Sequence, residues 1–287
     1  MSDEGYLPYK AEVSAPARPI PPGACDCHFH VFESGSVYPL AEPRSYTPTP
    51  APLAAYRAMA QTLGLQRAVL VHPSVYGRDH SSFEAVLTAS RGWMRGVAVV
   101  YPDTPTRDIE RWHSLGARGT RCNALFEGGA ALHELPIVVE RVRGLGWHLQ
   151  LLIDVDRDPH AILRLADLGV PLVVDHFGHV SADRALASRG FANLLALVRE
   201  GRAWVKLSGA YRISPQRRHF SDVAPLTEAL LQANPQQLVW GTDWPHPAIA
   251  PPMPDDGHLL DALTGSCGPA ELQKILVDNP TRLYWAD

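Results

Sequence analysis

Short apolar runs alternate with stretches of helical composition along most of the chain. Eight runs have the length of buried strands: 24–31, 67–72, 95–100, 117–122, 147–153, 171–176, 203–208 and 237–243. Eight further segments carry apolar residues at helical spacing: 53–63, 80–91, 105–115, 134–144, 158–168, 184–200, 222–233 and 269–277. Strands that alternate with helices build parallel sheets of the α/β class. Eight such units predict a somewhat distorted (β/α)8 TIM barrel.

A doubly wound open sheet is the alternative arrangement of the same elements. That fold normally carries a Gly-rich turn after its first strand, where it binds a phosphate group. The first run here ends instead in His28-Phe29-His30. The closed barrel is therefore the favoured prediction.

The length and apolar content of the chain fit one domain. A chain of 287 residues with 46% hydrophobic content can bury a large core without disulfides or metal staples. Residues 1–23 are rich in Pro and Ala and show no sustained periodicity, so we expect an N-terminal arm that lies on the barrel. Residues 24–287 are predicted to form a single (β/α)8 barrel domain.

Charge and composition restrict the partners of the chain. The net charge is −4, and the basic residues form no contiguous face or arm, which argues against nucleic acid and membrane surfaces. No apolar stretch approaches about 18 residues, and the first residues lack the pattern of a secretory signal. The four cysteines do not form a disulfide framework. We expect a cytoplasmic protein with a small-molecule partner, as a monomer or a homo-oligomer.

The first run predicts the position of a histidine pair. In a strand with period 2, Asp26, His28 and His30 share one face. The other face would then carry Cys25, Cys27, Phe29 and Val31. Two imidazoles on one buried face are costly unless they bind a ligand or make hydrogen bonds. The pair is therefore predicted to point into the barrel mouth and to have a function.

Two other runs end in residues of the same chemistry. The sixth run ends at His176, and the eighth ends at Asp243. Because the catalytic groups of such barrels lie at the C-terminal ends of the strands, we expect both side chains to meet the histidine pair. Asp243 alone could be a turn-capping carboxylate. Together with the imidazoles it predicts an active site.

These motifs resemble the amidohydrolase superfamily. Asp26-Cys27-His28-Phe29-His30 and Gly241-Thr242-Asp243-Trp244-Pro245-His246-Pro247 match its amidohydrolase-2 branch, and the resemblance runs from about residue 22 to the end. Within that branch the chain is similar to the group of 2-pyrone-4,6-dicarboxylate lactonase and related lactonases. The resemblance implies substrate contacts from Tyr46, Ser74, Arg121 and Arg212, with Asn123 and His246 as further candidates.

The predicted metal content departs from that of many amidohydrolases. Metal-dependent members of the superfamily supply a further ligand from strand 4 or 5, where this sequence has Arg121 and no terminal histidine. His28, His30, His176 and Asp243 could together hold zinc or manganese. However, a fixed guanidinium charge nearby disfavours a cation unless an anionic substrate lies between them. We therefore expect no metal and no other cofactor, with one divalent metal as the alternative.

The predicted activity is hydrolysis of a carboxylated lactone in the catabolism of aromatic or sugar acids. Asp243 would activate a water molecule, and His28, His30 and His176 would donate hydrogen bonds to the developing oxyanion. Glu127, where the resemblance implies a basic residue, points to a lactone with one carboxylate or with hydroxyls. The alternatives are a metal-dependent amidohydrolase, a nonoxidative decarboxylase, a lactone isomerase and a noncatalytic binding protein.

Overall fold

Eight parallel strands form one sheet whose strand order follows the chain. The structure is a computed structural model that describes residues 6–125, 130–216, 218–249 and 251–286. The strands are β1 (Cys25–Phe29), β2 (Arg67–Val71), β3 (Met94–Ala98), β4 (Ala117–Asn123), β5 (His148–Leu152), β6 (Leu172–Val174), β7 (Ala203–Leu207) and β8 (Leu238–Trp240). Each strand pairs in parallel with the next. The predicted TIM barrel is confirmed, because a doubly wound sheet would reverse its strand order.

Helices surround the strands and connect them. They are α1 (Leu53–Leu63), α2 (Ser81–Ala89), α3 (Thr106–Leu115), α4 (Leu135–Arg143), α5 (Ala161–Ala166), α6 (Ala182–Ala185), α7 (Arg189–Arg199), α8 (Ala210–Ile213), α9 (Ala224–Ala233), α10 (Asp256–Ser266) and α11 (Pro269–Gln273). The predicted helix 53–63 is confirmed at both ends by α1. Gly64, in the left-handed conformation, ends this helix. The segment predicted as one helix over 184–200 forms two, α6 and α7.

The sequence prediction missed α10, and the N-terminal arm explains its unusual composition. The helix contains Gly257, whose ideal Cβ would lie 2.1 Å from the carbonyl oxygen of Ser14. The preceding Asp255 accepts hydrogen bonds from the backbone of Gly257 and of Ser14, both at 3.0 Å. Glycine is therefore needed where the arm crosses the helix, and it weakens the local helical signal.

The barrel closes between β1 and the segment that follows β8. The backbone N–H of Asp243 donates to the carbonyl of His28 at 2.8 Å, and that of His30 donates to the carbonyl of Trp244 at 2.8 Å. We call these paired segments, residues 26–30 and 241–244, the seam. Because the seam joins the first and last strands, it places the two sequence motifs side by side.

Asp26 does not share the face of the two histidines, so this part of the prediction is wrong. The register of β1 shifts between Asp26 and Phe29, which indicates a bulge. Asp26 accepts hydrogen bonds from Tyr56 of α1 at 3.1 Å and from the Thr242 hydroxyl at 2.6 Å. Phe29 stacks on Tyr56 at 3.6 Å. The extra residue breaks the period of 2 and returns His28 to the interior.

The core is divided by the sheet into an outer layer and a barrel interior. The interior contains an apolar cluster of small side chains closed by two aromatic rings: Cys25, Cys27, Val69, Val71, Val97, Val173, Val239, Trp204 and Tyr284. The four cysteines are buried and free. Among the described residues, no helix combines the length and hydropathy needed to cross a bilayer.

Gly241 is expected to tolerate no side chain, because an ideal Cβ there would lie 2.6 Å from the backbone nitrogen of His28. Gly241→Ala should therefore force the seam apart and cost about 1–3 kcal/mol of unfolding free energy. Thermal and denaturant unfolding measure this cost. In the control variant, Gly265→Ala, the new methyl group meets open space within α10, so stability should stay equal or rise slightly. Equal effects of the two substitutions would contradict the packing argument.

Candidate active site

A cavity at the C-terminal ends of the strands collects most of the residues predicted from the sequence. Its empty volume, including open solvent at the mouth, is about 360 Å³. It is lined by His30, Tyr46, Ser74, Arg121, Asn123, Leu152, His176, His179, Arg212, Asp243, Pro247 and Ala248. Of the predicted site residues, His28 and His246 are absent from this lining. His28 lies beneath the cavity, against Asp243.

The carboxylate of Asp243 is the meeting point of three imidazoles. The Nε2 atoms of His28 and His30 lie 3.6 and 3.8 Å from Oδ1, and Nε2 of His176 lies 3.7 Å from Oδ2. The backbones of Asp243 and His176 are in the left-handed region, with φ of 64° and 51°. Such conformations cost about 1 kcal/mol or more in residues other than glycine, and they often occur at functional sites.

Arg212 and Tyr211, both on α8, hold the other side of the same carboxylate. The Arg212 Nε donates to Oδ2 of Asp243 at 2.6 Å, and the Tyr211 hydroxyl donates to the same atom at 2.7 Å. Burial would raise the pKa of Asp243, but the charge of the Arg212 guanidinium outweighs it and holds that pKa well below its usual value. Asp243 is therefore ionised, and Arg212 is engaged with it rather than free for a substrate carboxylate.

His30 presents a lone pair to Asp243, not a proton. Its Nδ1 lies 2.8 Å from the carbonyl oxygen of Val71, which can only accept a hydrogen bond, so Nδ1 carries the hydrogen. Burial lowers the pKa of His30 well below its usual value, which keeps the ring neutral. Nε2 is then an acceptor. This geometry favours an accepting role for His30 over the donating role expected from the sequence.

A second buried carboxylate, Asp175, lies beneath the first, and the sequence prediction missed its role. Its Oδ2 accepts from Arg121 Nε at 3.3 Å and from Gln150 Nε2 at 3.0 Å. Its Oδ1 lies 3.6 Å from Lys206 Nζ and 3.3 Å from His28 Nδ1. The signal available in the sequence was the presence of Gln150 and Lys206 inside otherwise apolar strands, which require buried polar partners.

The two terminal nitrogens of the Arg121 guanidinium, which form a planar fork of donors, are available to the cavity. Its Nε is directed at Asp175, whereas Nη1 and Nη2 have no hydrogen-bond partner within the described ranges. The side chain is 6% exposed and lines the cavity together with Tyr46, Ser74 and Asn123. A buried guanidinium with free donors is a strong site for an anionic group.

Other residues lie differently from their predicted places. The Nε2 atom of His246 is 3.1 Å from Asp256 Oδ1, and the ring packs edge-on against Tyr211 at 5.0 Å. It therefore lies behind Tyr211 rather than in the cavity wall. His179, which the sequence analysis did not select, does line the cavity. Glu127 falls outside the described residues.

Two groups of side chains bring potential metal ligands together. Among the described residues these groups are His28 with His30 and Asp243, and His28 with Asp175 and His176. In each group the ligand atoms lie within 4.8 Å of one another. His28 belongs to both, so the state of its ring bears directly on whether a metal fits.

Comparison with known proteins agrees with this arrangement. The family model for amidohydrolases matches residues 25–285. The chain belongs to the amidohydrolase family. A 2-pyrone-4,6-dicarboxylate hydrolase from Comamonas testosteroni is 34% identical over 295 residues, which cover 99% of this chain and 97% of that protein. A 4-sulfomuconolactone hydrolase from Rhizobium radiobacter is 38% identical over 280 residues, covering 92% and 91% of the two chains.

A solved structure shows the same fold over almost the whole chain. The apo crystal structure of an Agrobacterium tumefaciens protein superposes with a TM-score of 0.84 at 27% identity, and the match covers 95% of this chain and 99% of that one. The barrel and its mouth therefore belong to an established architecture.

Arg212→Met is expected to raise the pKa of Asp243, because the guanidinium charge that opposes the effect of burial would be absent. Titration of ¹³C-labelled aspartate carboxylates by NMR measures this change. Arg121→Met is the matched control, since Arg121 pairs with Asp175 and not with Asp243. The electrostatic account of Asp243 would be wrong if its titration were the same in the Arg212 variant and in the parent.

Proposed function

We propose that this protein hydrolyses a lactone that carries an anionic substituent, without a metal, in the breakdown of aromatic or sugar acids. Two relatives support the reaction class, since both are named as hydrolases of anionic lactones. The observation that carries the proposal is the pairing of an ionised Asp243 with the lone pair of His30 at one wall of the cavity. Arg121, with its free donors, forms another part of the wall.

Asp243 and His30 together suit the activation of water. Their facing atoms, Oδ1 and Nε2, are 3.8 Å apart and are both acceptors, so one water molecule can donate a hydrogen to each. As the water oxygen attacks the lactone carbonyl carbon, its proton passes to Asp243. Because Asp243 is strongly ionised and hence a weak base, the reaction depends equally on an oriented water and on a stabilised oxyanion.

His176 is placed to stabilise the oxyanion. Its Nδ1 lies 2.8 Å from the Ser208 hydroxyl, which can donate to it and leave the hydrogen on Nε2. That nitrogen faces the cavity beside Asp243. When the tetrahedral intermediate collapses, the ring C–O bond breaks and the leaving oxygen takes the proton back from Asp243. The product is the open-chain acid with a new hydroxyl or enol group.

Arg121 provides recognition of the anionic substituent. A guanidinium can bind a carboxylate or a sulfonate through two parallel hydrogen bonds, and Nη1 and Nη2 are free for this purpose among the described residues. Ser74 lines the same wall, where a hydroxyl can add a further hydrogen bond. With the anion held there, the lactone ring extends across the cavity towards Asp243.

The residues of the site fit a divalent metal poorly. A zinc site uses at least three protein ligands with free electron pairs. Here Asp243 is already paired with Arg212 at 2.6 Å, and Asp175 is paired with Arg121 and lies 3.6 Å from the Lys206 ammonium. A metal ion would have to bind beside these fixed positive charges. The proposed reaction therefore uses the side chains alone.

Asp243→Asn should lower kcat by about 100-fold or more, because an amide cannot take the proton from water. Arg121→Met should instead raise KM about tenfold or more for an anionic lactone. Steady-state kinetics on a panel of carboxylated and uncharged lactones separate the two effects. On an uncharged lactone the Arg121 variant should match the parent. Parent-level turnover by the Asp243 variant would exclude Asp243 as the base.

Dialysis against a strong chelator should leave the lactonase activity unchanged, since no step of the proposed reaction uses a metal. Elemental analysis of the dialysed protein accompanies the rate measurement. If activity disappeared on dialysis and returned with zinc or manganese, a metal-dependent reaction at His28, His30 and Asp243 would replace the present proposal.

A further inference from the structure

We propose that Lys206 is a positioning residue that fixes the tautomer of His28 and thereby prevents this site from binding a divalent metal. The ammonium acts from inside the barrel, beneath the cavity that holds Asp243. This inference deepens the proposed function and rests on it for the role of Asp243. The exclusion of metal can nevertheless be tested without any substrate.

Lys206 lies on β7 and is fully buried. Its Nζ donates to the Gln150 side-chain oxygen at 2.7 Å and makes a hydrogen bond to Nδ1 of His28 at 3.4 Å. Asp175 Oδ1 also lies 3.3 Å from Nδ1, but this oxygen has no hydrogen-bond partner within the described residues. An ammonium group has three donors and no lone pair, so Nδ1 accepts from Lys206. A neutral His28 then carries its single hydrogen on Nε2.

The hydrogen on Nε2 of His28 is directed at Asp243. Nε2 of His28 lies 3.6 Å from Oδ1 of Asp243 and is a buried atom without a hydrogen-bond partner in the described ranges. A hydrogen on Nε2 therefore points at the carboxylate and stabilises its charge. The same hydrogen occupies the electron pair that a metal would need.

Without the Lys206 ammonium, His28 would adopt the other tautomer. Asp175 Oδ1 lies 3.3 Å from Nδ1 of His28 and would accept a hydrogen from it once Lys206 no longer donates there. The free lone pair would move to Nε2. His28, His30 and Asp243 would then offer three electron pairs within 4.8 Å of one another, with Asp175 behind the histidine. A carboxylate behind a histidine ligand is the arrangement that supports bound metal in many metalloenzymes.

Charge acts in the same direction as the tautomer. The buried cations Lys206 and Arg121 and the partly buried Arg212 face the buried carboxylates Asp175 and Asp243. Additional positive charge in this interior is repelled, and removal of Lys206 leaves the carboxylates with the two guanidinium groups. The Lys206 ammonium thus supplies positive charge at a place where a metal-dependent hydrolase would use a metal ion.

Lys206→Met tests the inference, because methionine has similar length and no charge. Zinc affinity is measured by competition with a chromophoric chelator, with elemental analysis of the loaded protein. We expect zinc to bind the variant at least about tenfold more tightly than the parent. In the double variant Lys206→Met/His28→Gln the gain should disappear. Lys274→Met, at a half-buried lysine directly after α11, is the control and should bind zinc like the parent.

Nitrogen NMR of the ¹⁵N-histidine-labelled parent protein measures the tautomer of His28 directly. Because it uses the unsubstituted protein, it does not depend on whether a variant folds. His28 is expected to carry its hydrogen on Nε2, and a hydrogen on Nδ1 would overturn the proposal. Unchanged zinc affinity in a folded Lys206 variant would also overturn it. Because both measurements use the protein without substrate, they remain decisive even if no lactone is hydrolysed, which would refute the proposed function alone.

Discussion

The site depends on the seam that closes the barrel. Two backbone hydrogen bonds, from Asp243 to His28 and from His30 to Trp244, join the first strand to the segment after the last one. These bonds place His28 Nε2 3.6 Å from Asp243. The Asp26 carboxylate, bound to Thr242 and Tyr56, ties the same seam to the helical layer. The hydrogen bonds that close the barrel therefore also assemble the site.

The three cations of the barrel interior have different roles. Arg212 holds Asp243 ionised, Arg121 pairs with Asp175 through one nitrogen and keeps its fork for a substrate anion, and Lys206 lies below both. Removal of one partner from such a buried pair typically costs about 3–5 kcal/mol, because a charge is left without compensation. The same pairs that stabilise the interior therefore also define its chemistry.

Two histidines of one motif show how local hydrogen bonds separate residues of the same type. Nδ1 of His30 faces the Val71 carbonyl, and Nδ1 of His28 faces the Lys206 ammonium. One ring must therefore present a lone pair to Asp243 and the other a hydrogen. The His-x-His pattern indicates that a site exists, but the role of each ring follows from partners on other strands.

The family resemblance implied Tyr46, Ser74, Arg121 and Arg212, which line the cavity. By itself the sequence determined the barrel, most of its helices and the histidines and aspartate near the strand ends, because hydrophobic periodicity and the ends of strands are local properties. It could not determine the bulge in β1, which places Asp26 and His28 on opposite faces. Nor could it assign Arg212 to Asp243, or bring Lys206, Gln150 and His28 around Asp175. Those contacts join residues far apart in the chain, and the closed barrel alone decides which buried charges meet.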